Sequence, residues 1–103
     1  MSDMGDYLTK RWEGQTGRTI PNQEIRYYQN GSCAFYSYDT KIAEVDLEGD
    51  VTLFDCWDMH SKTTNKYFLK FLRMHLIFDD LDDITSITQV RKLVKNKTFS
   101  LAR

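Results

Sequence analysis

Two periods divide the chain. From Ile25 to Cys56 hydrophobic and polar residues tend to alternate every second position, the repeat of a half-buried strand, and from Lys62 onward apolar residues return every three or four positions, the repeat of an amphipathic helix. Residues 25–29 are rich in strand formers and lead into Asn30-Gly31, a dipeptide suited to a type I′ hairpin turn. The return strand, residues 32–38, sets Cys33, Phe35 and Ser37 against Ala34, Tyr36 and Tyr38. Aromatics on both faces predict that it is central. Asp39-Thr40 turns the chain again. Residues 42–47 point Ala43, Val45 and Leu47 one way and Glu44 and Asp46 the other; Glu48-Gly49-Asp50 makes a third turn, and residues 51–56 form a fourth strand. Tight turns between successive strands predict an antiparallel meander.

Ser61 is placed to cap the first helix, predicted over residues 62–78, whose apolar stripe is Tyr67, Phe68, Phe71, Leu72 and Phe78. His75 falls on the same stripe and reads as a packed, hydrogen-bonded histidine. The acidic run DDLDD, residues 79–83, suits the approach to a helix N-terminus better than the end of a helix. Ser86 and Gln89 then match a capping box, with Ile87, Val90 and Val94 on the buried side of a second helix that ends near residue 96. Residues 1–23 show neither period and predict a loose arm; Tyr7, Leu8 and Trp12 lie at near-helical spacing, so the alternative is a short helical turn docked on the body. The tail after Lys97 is expected to fray. Strands first and helices after predict an α+β fold: a four-stranded antiparallel meander followed by two helices packed on one face, all within residues 24–103.

A length of 103 residues fits one domain that buries about two-thirds of its unfolded surface, so no structural metal or disulfide is required. No run approaches the roughly 20 apolar residues of a membrane span, and the first residues lack an apolar signal core, which predicts a cytoplasmic protein with no membrane contact. Cys33 and Cys56 would then stay reduced. The net charge of −1 conceals an asymmetry. Residues 1–58 hold 11 acids and 5 bases, a net of −6, whereas residues 59–103 hold 4 acids and 9 bases, a net of +5.

Residues 37–43, SYDTKIA, and residues 57–66, WDMHSKTTNK, with Phe68 and Phe71 following, resemble a pattern found in small proteins of bacteriophages and mobile elements. Its form is SYxTxIA, a hairpin, then WDxSxTTxK leading into an aromatic helix. The chain carries one extra residue before Ser61 and has Tyr67 where the pattern often has histidine, so no role for that histidine transfers. The resemblance implies an accessory protein acting in a bacterial host cytoplasm. Proteins of that kind are often inhibitors of host or defence machinery, including anti-CRISPR proteins.

The sequence offers little to catalysis. Cys56 and His60 lie four apart but lack an oxyanion hole or a clear orienting carboxylate; Cys33, Cys56, His60 and His75 lack the tight C-x-x-C spacing of zinc sites. The aspartates of DDLDD lack the glycine and glutamate positions of a calcium loop and read as solvated. No phosphate loop or nucleophile elbow is present, so the expectation is a protein that is no enzyme and has no metal or cofactor. Binding is the better reading. Lys62, Lys66, Lys70 and Arg73 follow one another along the polar side of the first helix, with Leu69 among them and no acid from residue 62 to 78. Such a row suits an anionic partner. Ser61, Thr63 and Thr64 at the helix N-terminus could add an anion site. The tyrosine-rich strands, with Tyr28, Tyr36 and Tyr38, together with Trp57, suit protein contact, because large rigid side chains dominate interfaces. The leading expectation is therefore a non-enzymatic protein that binds and modulates or inhibits a host protein or complex. A nucleic-acid-binding protein using the same basic row is the alternative, and a virion or scaffold component, seen as a homo-oligomer, is a third class.

Overall fold

The computed structural model describes residues 7–54, 57–75 and 84–102. Six strands lie in one sheet in chain order: β1 (Tyr7–Glu13), β2 (Thr19–Tyr28), β3 (Cys33–Ser37), β4 (Thr40–Val45), β5 (Val51–Leu53) and β6 (Ser100–Leu101). Helices α1 (Lys62–His75) and α2 (Ile87–Lys95) fall between β5 and β6. The fold is mixed α and β as expected, but the sheet has six strands rather than four. β1 to β5 pair antiparallel in sequence, and β6 joins β5 parallel.

Both additional strands come from segments expected to be loose. Residues 7–23 are not an arm: β1 and the first half of β2 form a hairpin, with Tyr7 opposite Tyr28 and Lys10 opposite Ile25. The alternation there is hidden because β1 is an edge strand from which only Tyr7 and Trp12 are even half-buried. The tail is held as well. Phe99 is 3 % exposed, its N–H donates to Leu93 O at 3.1 Å, and Ala102 N–H donates to Leu53 O at 2.8 Å. The end of the predicted first helix, residues 76–78, and the acidic run 79–83 lie outside the described residues, as does Cys56.

Three of the hairpin loops share one construction. In residues 14–18, 28–32 and 46–50, the first residue exchanges backbone hydrogen bonds with the fourth and the fifth, and the fourth is a glycine with φ of +79°, +92° or +87°. This is a three-residue loop whose last residue is left-handed, a position that penalises any Cβ. Asn30-Gly31 therefore turns the chain, but not as a type I′ turn, since only Gly31 of the pair has positive φ. The two-residue turn with both centres left-handed occurs instead at Tyr38-Asp39, φ 52° and 65°, one residue earlier than the Asp39-Thr40 expected. Leu47 belongs to the third loop and is 72 % exposed, so it does not join Ala43 and Val45 inside.

The core lies between the sheet and the helices. α1 crosses β2, β3 and β4, and Phe35 at the sheet centre meets Phe68 and Phe71 with ring centroids 6.2 and 5.8 Å apart. All three rings are fully buried, each contributing roughly 1.5–3 kcal/mol by removal from water. A bulge where Phe35 pairs with Ala43 and Tyr36 with Lys41 allows the adjacent Ile42 and Ala43 both to be buried. α2 adds Val90, and its Ser86–Gln89 capping box forms as predicted.

Candidate interaction surface

The cationic side of α1 is built from the helical repeat. Lys62, Lys66 and Thr63 are exposed and Lys70 and Arg73 are half-buried, while Thr64, Tyr67, Phe68, Leu69, Phe71 and Leu72 are buried. Lys62, Lys66 and Lys70 have no carboxylate within ion-pair distance among the described residues. Lys66 and Lys70 instead both lie over the Tyr67 ring, Nζ 5.5 and 5.2 Å from its centroid. Two parts of the expected ridge are corrected. The Arg73 guanidinium donates to Ile84 O at 2.7 Å, tying α1 to the approach of α2, and Leu69 is covered rather than standing among the lysines. The row without an ion-pair partner among the described residues is Lys62, Lys66 and Lys70.

The N-terminus of α1 is occupied by its own chain. Ser61 Oγ accepts from Thr64 N at 3.2 Å, the capping geometry expected of it. Thr64 points inward, 3 % exposed, where its hydroxyl meets Ser37 Oγ at 3.0 Å and accepts from Gln23 Nε2 at 3.4 Å. Thr64 thus joins helix to sheet and is not available to an outside anion; of the three hydroxyls proposed there, Thr63 alone is exposed and without a hydrogen bond among the described residues.

The aromatic residues do not share the lysines' surface. Tyr28 and Tyr36 stand on the opposite face of the sheet with Tyr7, Glu24 and Arg26, as the registers of β1, β2 and β3 require. There the hydroxyls of Tyr28 and Tyr36 meet at 3.0 Å, and Arg26 lies over Tyr36 and Tyr7, its Cζ 3.8 and 4.8 Å from the ring centroids. Arg26 also pairs with Glu24 at 2.6 Å and Asp39 at 3.3 Å, and Glu24 with Arg11 at 3.0 Å. Burial alone would lower the Arg26 pKa, but the bond to Glu24 and its charge outweigh it and the net shift is upward; burial and the bond to Tyr36 push the Tyr28 phenol up to about 12. The cluster is internally satisfied. Tyr38 is 66 % exposed at the β3–β4 turn, whereas Trp57 packs on Phe68 at 6.0 Å and is 8 % exposed, so Trp57 is a core residue and not a contact residue.

The histidine and thiol readings resolve in the same way. His75 Nδ1 lies 3.0 Å from Phe71 O and Nε2 lies 3.1 Å from the Tyr27 hydroxyl, so it is packed and hydrogen-bonded, as expected, through both ring nitrogens. Cys33 faces the core, where burial pushes its thiol up to about 11, a poor nucleophile at neutral pH. Asp46, Glu48 and Asp50 gather at one exposed loop, where Asp46 Oδ1 accepts from the backbone N–H of the other two at 2.9 Å.

Because α1 covers β2 to β4, the sheet projects past it on the β1 side. A cleft of about 380 Å³ opens there, lined by Lys10, Arg11, Trp12, Glu13, Ile25 and Met74. Trp12 forms its inner end, 5.9 Å from Phe35 and 5.1 Å from Tyr67. Trp12 belongs to strand β1 and not to a helical turn.

Fold and surface together define a small mixed α and β domain with a cationic helix face beside an open cleft. The chain belongs to a family of unknown function, DUF8033, whose profile matches residues 8–86, from β1 to the cap of α2. No curated protein and no solved structure matches it. Among the described residues no helix is long and apolar enough to cross a membrane.

Proposed function

We propose that this protein is a non-enzymatic interaction module that binds a protein partner through the cationic face of α1 and thereby modulates or inhibits it. The observation that carries this reading is the row Lys62, Lys66 and Lys70, held on one side of a helix with no carboxylate partner among the described residues. Like charges at this spacing repel slightly, and an anionic partner relieves the repulsion. The motif resemblance makes a bacterial host protein the class of partner to try first. A protein surface is favoured over nucleic acid because Tyr28 and Tyr36, the available stacking rings, lie on the opposite face from the lysines and are engaged by Arg26 and each other.

The test is the double substitution Lys66→Glu, Lys70→Glu. It removes two cation–π contacts to Tyr67, each worth about 0.5–1 kcal/mol, so a loss of about 1–2 kcal/mol in stability is expected. Partner capture from host lysate should disappear while the folded state persists in circular dichroism. Oligonucleotide binding at 50 mM salt that collapses at 200 mM would instead select the nucleic-acid alternative.

A further inference from the structure

The free edge of β1 and the cleft beside it form one continuous surface. β1 is the first strand of the sheet order, so its outer edge has no ladder partner among the described residues. Leu8, Lys10 and Trp12 alternate onto the helix side of β1, and Leu8 is 77 % exposed there. The opposing wall is α1. Met74, 44 % exposed, lines the cleft with Ile25, and Lys70 stands over Tyr67, which touches Trp12.

We propose that this edge and cleft dock an extended acidic peptide segment of the partner, added as a further strand beside β1, with an apolar side chain seated between Trp12 and Met74. Deepening the functional reading above, the inference rests on it for the class of partner. Backbone pairing along an open edge gives such a complex its affinity, and alternate side chains entering pockets give it specificity. The charge of the occupant follows from the walls. Lys10 and Lys70 have no ion-pair partner among the described residues, and Glu13 is the one acid lining the cleft. The same cations disfavour a second copy of β1, because like-charged edges repel on pairing, whereas an acidic strand is drawn in.

The test uses fluorescein-labelled ten-residue peptides of alternating glutamate and valine or leucine, titrated by anisotropy at 50 mM salt. Binding is expected for the acidic peptide, at least tenfold weaker with Met74→Glu or Lys10→Glu, and unchanged with Arg18→Glu at the tip of the first hairpin. Thermal melts confirm that Met74→Glu, an exposed position, still folds. A peptide with proline at two alternate positions, which cannot complete the ladder, should bind at least tenfold more weakly. Equal binding of the lysine-for-glutamate peptide, equal binding of the proline peptide, tighter binding of single-stranded DNA, or dimerisation of the free protein in sedimentation would each overturn the proposal. If Met74→Glu still captures the lysate partner that the Lys66→Glu, Lys70→Glu protein loses, the cleft inference falls and the functional reading stands.

Discussion

Replacing Thr64 with valine keeps the shape of the side chain and removes the hydroxyl at which α1 is joined to the sheet. Ser37 and Gln23, each 2 % exposed, then lose the partner they share. The Ser37 contact at 3.0 Å is a full hydrogen bond, whereas the Gln23 contact at 3.4 Å is long and weaker. An orphaned buried polar group costs about 1–3 kcal/mol, the weaker Gln23 contact adds about 1 kcal/mol, and the added methyl returns a little under about 1 kcal/mol, so the expected loss is about 1–3 kcal/mol. For a domain of this size, that lowers Tm by roughly 4–24 °C. Urea denaturation should show the loss as a lower midpoint at unchanged slope. Thr64→Ser, which keeps the hydroxyl, should lose under about 1.5 kcal/mol, and Ser37→Ala combined with Thr64→Val should cost less than the sum of the two singles, because removing both partners leaves nothing to orphan. A Thr64→Val protein within about 0.5 kcal/mol of the parent would refute the reasoning, and would return Thr64 to the pool of groups available to a ligand.

Two further outcomes are expected. Gly17→Ala should destabilise by about 1 kcal/mol, from the left-handed backbone alone, because nothing lies within 4 Å of the added Cβ; a neutral result in thermal melts would mean that the loop rearranges. Stability should fall between about pH 9 and 11, since the Cys33 thiol is held near 11 in the fold and ionises near 9 when unfolded: the unfolded chain releases its proton first, and the contribution is complete below pH 9. Cys33→Ala should flatten that slope in urea midpoints measured across the range, and an unchanged slope would assign the alkaline loss to other groups such as Tyr27 and Tyr28.

The separate lysine and tyrosine surfaces show how far the residue order reached. By itself the sequence determined the strands between Ile25 and Leu53, the α1 stripe of Tyr67, Phe68, Phe71 and Leu72, and both helix caps, because each depends on spacing within a few residues. The run of Lys62, Lys66 and Lys70 was legible for the same reason. Tertiary structure alone decided which neighbours those residues met. β1 became a strand because β2 supplies its ladder of hydrogen bonds, and β6 because Phe99 found a place in the core; an edge strand that buries little carries almost no period of its own. Likewise, only the registers placed Tyr28 and Tyr36 on the face away from α1, only the path from α1 to α2 drew Arg73 to Ile84, and only the overhang of β1 past α1 opened the cleft. Local patterns fix what a segment can form, whereas a surface depends on which segments end side by side.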